Sequence, residues 1–109
     1  MNNMHEVTTQ ADFNSLVLES DMPVLVDFYT TWCGPCRSLA PVLKQLSEDM
    51  HGKAEVVKVN VGEEATLAQK YNIGAVPTLI VFHDGKEVER MVGGQKLETL
   101  KGLLSPLCS

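Results

Sequence analysis

The sequence predicts a single α/β domain over residues 1–109, a central mixed five-stranded sheet flanked by four helices in the order βαβαβαββα. Three observations carry that expectation. The run Val24-Leu25-Val26-Asp27-Phe28-Tyr29 is almost continuously apolar and too short for a helix, the pattern of a strand buried on both faces. From Gly34 onward, Cys36, Leu39, Ala40, Leu43, Leu46 and Met50 follow helical spacing, with Arg37, Lys44, Glu48 and Asp49 on the other side. The strand-like runs 77–82 and 86–92 meet through Asp84-Gly85, a strong hairpin signal that makes this pair antiparallel.

The remaining elements follow in chain order. Met4 to Thr8 reads as a short strand, after which Thr9 caps a helix whose apolar face is Phe13, Leu16 and Val17. Met22-Pro23 ends it. Pro41 lies inside the long second helix and is expected to kink it, since proline removes a backbone donor. Ala54 to Val61 alternates like a strand. Glu63 to Tyr71 reads as a short helix with acids in its first turn and Lys70 in its last, ended by Asn72 and Gly74. Leu97, Leu100, Leu104 and Leu107 form the stripe of a closing helix.

Composition narrows the function classes. Apolar residues are 44% and charged residues 21%, which fits a globular chain and neither a disordered nor a membrane-spanning one. A net charge of −5 spread along the chain argues against nucleic acid, which calls for clustered Lys and Arg. Residues 1–12 hold neither the basic cluster nor the apolar core of a secretory signal, so the expected compartment is the cytoplasm. Of three cysteines, Cys33 and Cys36 form a close pair and Cys108 is left over, a pattern that points to metal binding or catalysis.

The pair sits in Trp32-Cys33-Gly34-Pro35-Cys36, where a buried strand hands over to a helix. A helix N-terminus carries about half a positive charge from unpaired amides and stabilises a thiolate, so Cys33 is the expected nucleophile. Cys36 falls on the Leu39/Leu43 face and is expected to be the more buried, resolving thiol. Gly34 permits close backbone approach and Pro35 suits a first helical turn. Structural zinc uses this spacing too, but needs four ligands, and His5, His51 and His83 are isolated. Two inert core cysteines are the other alternative.

Several further blocks bear on the choice: Val24 to Phe28 leading to Trp32–Cys36, then Ala40-Pro41, Lys58-Val59-Asn60, Val76-Pro77-Thr78 and Val92-Gly93. Together they resemble the thioredoxin family over essentially the whole chain. The resemblance implies the thioredoxin fold and a protein-disulfide reductase, the Gly-Pro dipeptide being that of reducing members. It also implies a redox disulfide between Cys33 and Cys36 and recycling by thioredoxin reductase, which would use NADPH and FAD while this chain binds no cofactor and no metal. Its partners would be that reductase and disulfide-containing protein substrates, with the chain a monomer away from membranes. A disulfide oxidase or isomerase, or a non-catalytic binding subunit of the same fold, is the alternative.

Asp27 is the anomaly of its strand. A buried carboxylate without a partner is costly, so its pKa is expected to rise towards neutrality; the resemblance places it beneath the cysteines, moving a proton for the resolving thiol. A solvated edge-strand acid is the plainer reading. The resemblance brings Lys58 near that acid, although alternation alone allows an exposed strand lysine. It also makes Val76-Pro77 a cis peptide facing the cysteines, against a trans proline opening an edge strand. Trp32 is expected to be a partly exposed contact residue rather than core. Gly93 completes that substrate-binding surface with Trp32, Val76 and Pro77, or simply ends a strand. Cys108 reads as an incidental thiol at a frayed helix end, with a regulatory disulfide the minority reading. Departures from the family pattern are Tyr29, Thr30, Thr31, Gly62 and Gly94.

Overall fold

The structure is a computed structural model that describes residues 4–108. Strand β2 (Val24–Tyr29) is the middle of a five-stranded sheet. On one side lie β3 (Glu55–Asn60) and then β1 (Met4–Val7), all three parallel. On the other lie β4 (Thr78–His83), antiparallel to β2, and β5 (Lys86–Val92), antiparallel to β4. The mixed sheet and the central place of the apolar run are as expected.

Because side chains alternate across a strand, β2 feeds two cores. Val24, Val26 and Phe28 pack with Phe13, Val17, Leu67 and Phe82 on one face. Leu25 packs with Leu39, Leu43, Leu46, Leu100 and Leu104 on the other. The first face is covered by α1 (Gln10–Phe13, continuing as a wider π-type turn over Asn14–Leu18) and α3 (Ala65–Lys70); the second by α2 (Gly34–Asp49) and α4 (Leu97–Leu104). Asp27 has the parity of Leu25, so it occupies a core position on the α2 face.

Local chemistry explains the element ends. Thr9 Oγ1 accepts the Asp12 amide at 3.0 Å, while the Asp12 carboxylate accepts the Thr8 amide and hydroxyl at 3.2 and 2.8 Å, closing the start of α1 and holding that carboxyl below its ordinary pKa. α2 is one helix of 16 residues, continuing through the exposed Pro41. α3 begins later than the sequence suggests, and the acids precede it. Asn60 explains this: its carbonyl accepts the amides of Glu63 and Glu64 at 3.0 and 2.8 Å and its side chain accepts that of Gly62 at 2.9 Å, making a turn of residues 60–64. Asn72 ends α3 with φ 55°, the Ile73 amide reaching back to the Ala68 carbonyl at 2.8 Å. At the other end of the chain α4 tightens into a 3-10 turn over Ser105–Leu107, where proline cannot donate to the helix.

The hairpin turn has Asp84 at φ 53° and Gly85 at φ 77°, the backbone that Asp-Gly favours. A Cβ on Gly85 would also lie 3.0 Å from the Leu18 carbonyl oxygen. Gly85→Ala is therefore expected to lower the unfolding free energy by about 1–2 kcal/mol, from backbone strain alone. Urea denaturation checks this, and an unchanged midpoint would contradict it.

Candidate active site

β2 ends at Tyr29, and the chain turns through Thr30–Trp32 before α2 begins at Gly34. Cys33 is the N-cap of α2. Its backbone is extended, with φ −92° and ψ 117°, and its Sγ accepts the Cys36 amide at 3.1 Å. The Cys33 carbonyl accepts the Arg37 amide at 3.2 Å, and Pro35 occupies the first turn, where no donor is lost. Sγ of Cys33 and Sγ of Cys36 are joined in a disulfide, with their Cα atoms 5.2 Å apart.

One expectation about this pair is corrected. Cys33 is not the exposed member: the two residues are 7% and 6% accessible. In the disulfide the sulfur of Cys33 is turned back onto the Cys36 amide. The difference between them lies in position on the helix rather than in exposure.

Asp27 is buried in the middle of the sheet at 2% accessibility, opposite Lys58 on β3 and Leu79 on β4. Its carboxyl is pushed up to about 7, chiefly by desolvation; the Lys58 charge pulls it down and Glu6 pushes it up. The solvated edge-strand reading is thereby overturned. Lys58 is half-buried, its ammonium 4.4 Å from the centre of the Tyr29 ring, while the Tyr29 hydroxyl donates to Glu6 Oε1 at 2.7 Å. Burial and that bond to a carboxylate raise the phenol's pKa. Asp27, Lys58 and Cys36 line one pocket of about 170 Å³, together with Tyr29, Thr30, Thr31, Arg37 and Ala40.

Sheet register brings the remaining residues to the same end. Phe28 faces Thr78, and Thr78 faces Val92, so the segments 29–36, 76–77 and 93–94 leave the sheet side by side. The Val76-Pro77 peptide is cis. Gly93, at φ 92°, donates its amide to the Pro77 carbonyl at 2.8 Å, a backbone conformation that favours glycine. Trp32 is 71% accessible, and Val92 is likewise exposed, so this end of the sheet carries apolar surface. The indole edge rests by Gly62, where an added Cβ would lie 3.0 Å from Trp32 Cη2.

Cys108 lies apart from this cluster, and it is not a frayed end. It is half-buried against the α2–α4 core, its single S–H shared between the carbonyls of Lys53 and Leu104, 3.4 and 3.3 Å from Sγ. Among the described residues no three His, Cys, Asp or Glu side chains converge as a metal site, and no helix is long and apolar enough to cross a membrane.

A paired dithiol at a helix N-terminus, beyond the carboxyl end of a central strand, defines a thiol-disulfide oxidoreductase. The thioredoxin family model matches residues 4–105. Thioredoxin of Staphylococcus aureus is 50% identical over 96 residues, which cover 88% of this chain and 90% of that protein. Among solved structures, a mutant thioredoxin from Halobacterium salinarum superimposes with a TM-score of 0.89 at 38% identity, covering 98% of this chain and 92% of that one. Malassezia sympodialis thioredoxin gives 0.88 at 28% identity, over 100% and 94% of the two chains. The chain belongs to the thioredoxin family and is a protein-disulfide reductase that works by dithiol-disulfide exchange.

Proposed function

We propose that Cys33 is the attacking sulfur, Cys36 the resolving one and Asp27 the proton acceptor between the two steps. The observation that carries this reading is the placement of Cys33 at the N-cap of α2 with the Cys36 amide directed at its sulfur. That amide and the unpaired amides of the first turn stabilise a thiolate at Cys33. The thiolate attacks one sulfur of a substrate disulfide; the other leaves as a thiolate that takes its proton from solvent, and a mixed disulfide remains on Cys33. Asp27 takes the Cys36 proton, Cys36 attacks Cys33 Sγ, and the second substrate thiol is released as the Cys33-Cys36 bond closes.

Gly34 and Pro35 keep the turn tight, and Lys58 moderates the charge on Asp27 from the neighbouring strand. Trp32, Val76, Pro77 and Gly93 form the surface that receives the substrate. An extended segment would pair with the Val76 backbone, and its disulfide would then lie over Cys33. A thioredoxin reductase, carrying FAD and drawing on NADPH, returns the pair to the dithiol. The chain itself binds no cofactor and acts as a cytoplasmic monomer, residues 1–109 forming the working domain. Insulin reduction in the presence of NADPH and a thioredoxin reductase tests the reading. Turnover is the expected result; failure to accept electrons from any such reductase, with a redox potential as high as those of known oxidants, would favour an oxidase instead.

A further inference from the structure

Two buried side-chain oxygens among the described residues have no hydrogen-bond partner, Asp27 Oδ1 and Thr30 Oγ1. Both residues line the pocket of about 170 Å³ that Cys36 also lines. Buried polar groups are almost always paired, so two orphans facing one pocket are groups there that can still form a hydrogen bond. Thr30 is only 7% accessible and stands directly beyond the end of β2.

Around the pocket, β2 supplies Asp27 and Tyr29, β3 Lys58, β1 Glu6, α2 Cys36 and Arg37, and the turn after β3 Glu63, while β4 presents the uncharged Leu79 opposite Asp27. The Lys58 ammonium lies over the Tyr29 ring, Arg37 donates to the Thr31 carbonyl at 3.4 Å, and the Tyr29 hydroxyl is taken by Glu6. Thr30 retains an uncommitted O–H.

We propose that Thr30 is a positioning residue for the resolving step, its hydroxyl donating a hydrogen bond to the negative charge that develops on Cys36 Sγ as its proton passes to Asp27. The inference rests on the roles assigned above to Cys36 and Asp27. The proton passes from Cys36 Sγ to the Asp27 carboxylate. The Cys36 electron pair forms the bond to Cys33 Sγ, and the bond from Cys33 to the substrate sulfur breaks, its pair leaving with that sulfur. Thr30 keeps its own proton throughout and lowers the energy of the Cys36 thiolate. A merely structural hydroxyl would behave differently, because a buried and unpartnered O–H is better replaced by valine, which has the same shape.

The test uses the fully reduced protein mixed rapidly with dithiobis(nitrobenzoate). At saturating disulfide the rate reaches a plateau set by resolution, to be followed between about pH 5 and 9. Thr30→Val is expected to lower the plateau near neutrality by about tenfold, the scale of one hydrogen bond to a charged group, and to move its pH midpoint upward. Thr30→Ser is expected to stay within about twofold of the parent, and the unfolding midpoint of Thr30→Val not to fall. If the valine variant does not fold, Thr30→Ala against Thr30→Ser supplies the same comparison. A valine or alanine variant with the parental plateau and midpoint, or a serine variant as slow as either, overturns the proposal while leaving the roles of Cys36 and Asp27 intact. A plateau that Asp27→Asn leaves unchanged would instead overturn the role of Asp27, and this inference with it.

Discussion

Cys33→Ser is expected to abolish insulin reduction, lowering turnover with NADPH and a thioredoxin reductase by at least about 10³-fold. A serine hydroxyl at the N-cap keeps the hydrogen-bond acceptor that the Cys36 amide meets at 3.1 Å, so the fold is retained while the nucleophile is lost. Cys36→Ser is expected to be equally inactive in turnover for a different reason. Its Cys33 still attacks, but nothing resolves the product, so the variant accumulates as a covalent adduct with substrate that dithiothreitol releases. Mass spectrometry of the two variants after mixing with insulin separates the roles: adduct on Cys36→Ser and none on Cys33→Ser. Adduct on Cys33→Ser alone would exchange the assignments. The near-equal accessibility of the two residues, 7% and 6%, makes this distinction one for chemistry rather than for accessibility.

Local patterns made much of this molecule legible. The apolar run Val24–Tyr29 is a complete strand at the middle of the sheet, and Asp84-Gly85 has the positive φ angles of its turn. Both signals are encoded by neighbouring residues. The α2 stripe is equally direct, since Leu39, Leu43 and Leu46 are all buried. The start of α3 was less legible because Asn60, before the acids, captures the amides of residues 62–64 and delays the helix. The candidate site divides in the same way. The cysteines at the strand-to-helix turn are a local signal, and a lone acid in an apolar strand announces an unusual environment. What faces that acid depends on the register of β2 against β3, which pairs Asp27 with Lys58 and which no local pattern specifies. Thr30 stood out in the sequence only as a departure from a family pattern. Its orphaned hydroxyl becomes visible once the pocket is assembled around it.

Asp27→Asn is expected to stabilise the protein above neutral pH and to slow it at the same time. The carboxyl has a pKa of about 7 in the folded protein, against 3.8 for an ordinary aspartate. The folded state therefore binds a proton more tightly than the unfolded state, and between those two values stability falls as pH rises. The favourable contribution of the protonated acid is fully present below the unfolded value and is lost as pH passes through about 7. At higher pH the chain carries an ionised carboxylate inside the sheet, with Lys58 offsetting only part of the desolvation. The shift corresponds to about 4 kcal/mol, and an asparagine that leaves its own amide short of partners, at a cost of about 1–3 kcal/mol, recovers about 1–3 kcal/mol of it. Urea denaturation should accordingly show a gain at pH 8 that disappears at acidic pH; a gain independent of pH would assign it to packing. Catalysis moves the other way. In the proposed mechanism resolution is expected to accelerate as pH rises through about 7, since there the ionised Asp27 would accept the Cys36 proton. In Asp27→Asn that rise is expected to shift towards the ordinary thiol range, near about 8.5, with a lower rate at neutrality. Both outcomes together would show a buried acid that costs stability under the conditions where it serves the reaction, its place in the core explained by chemistry and not by folding.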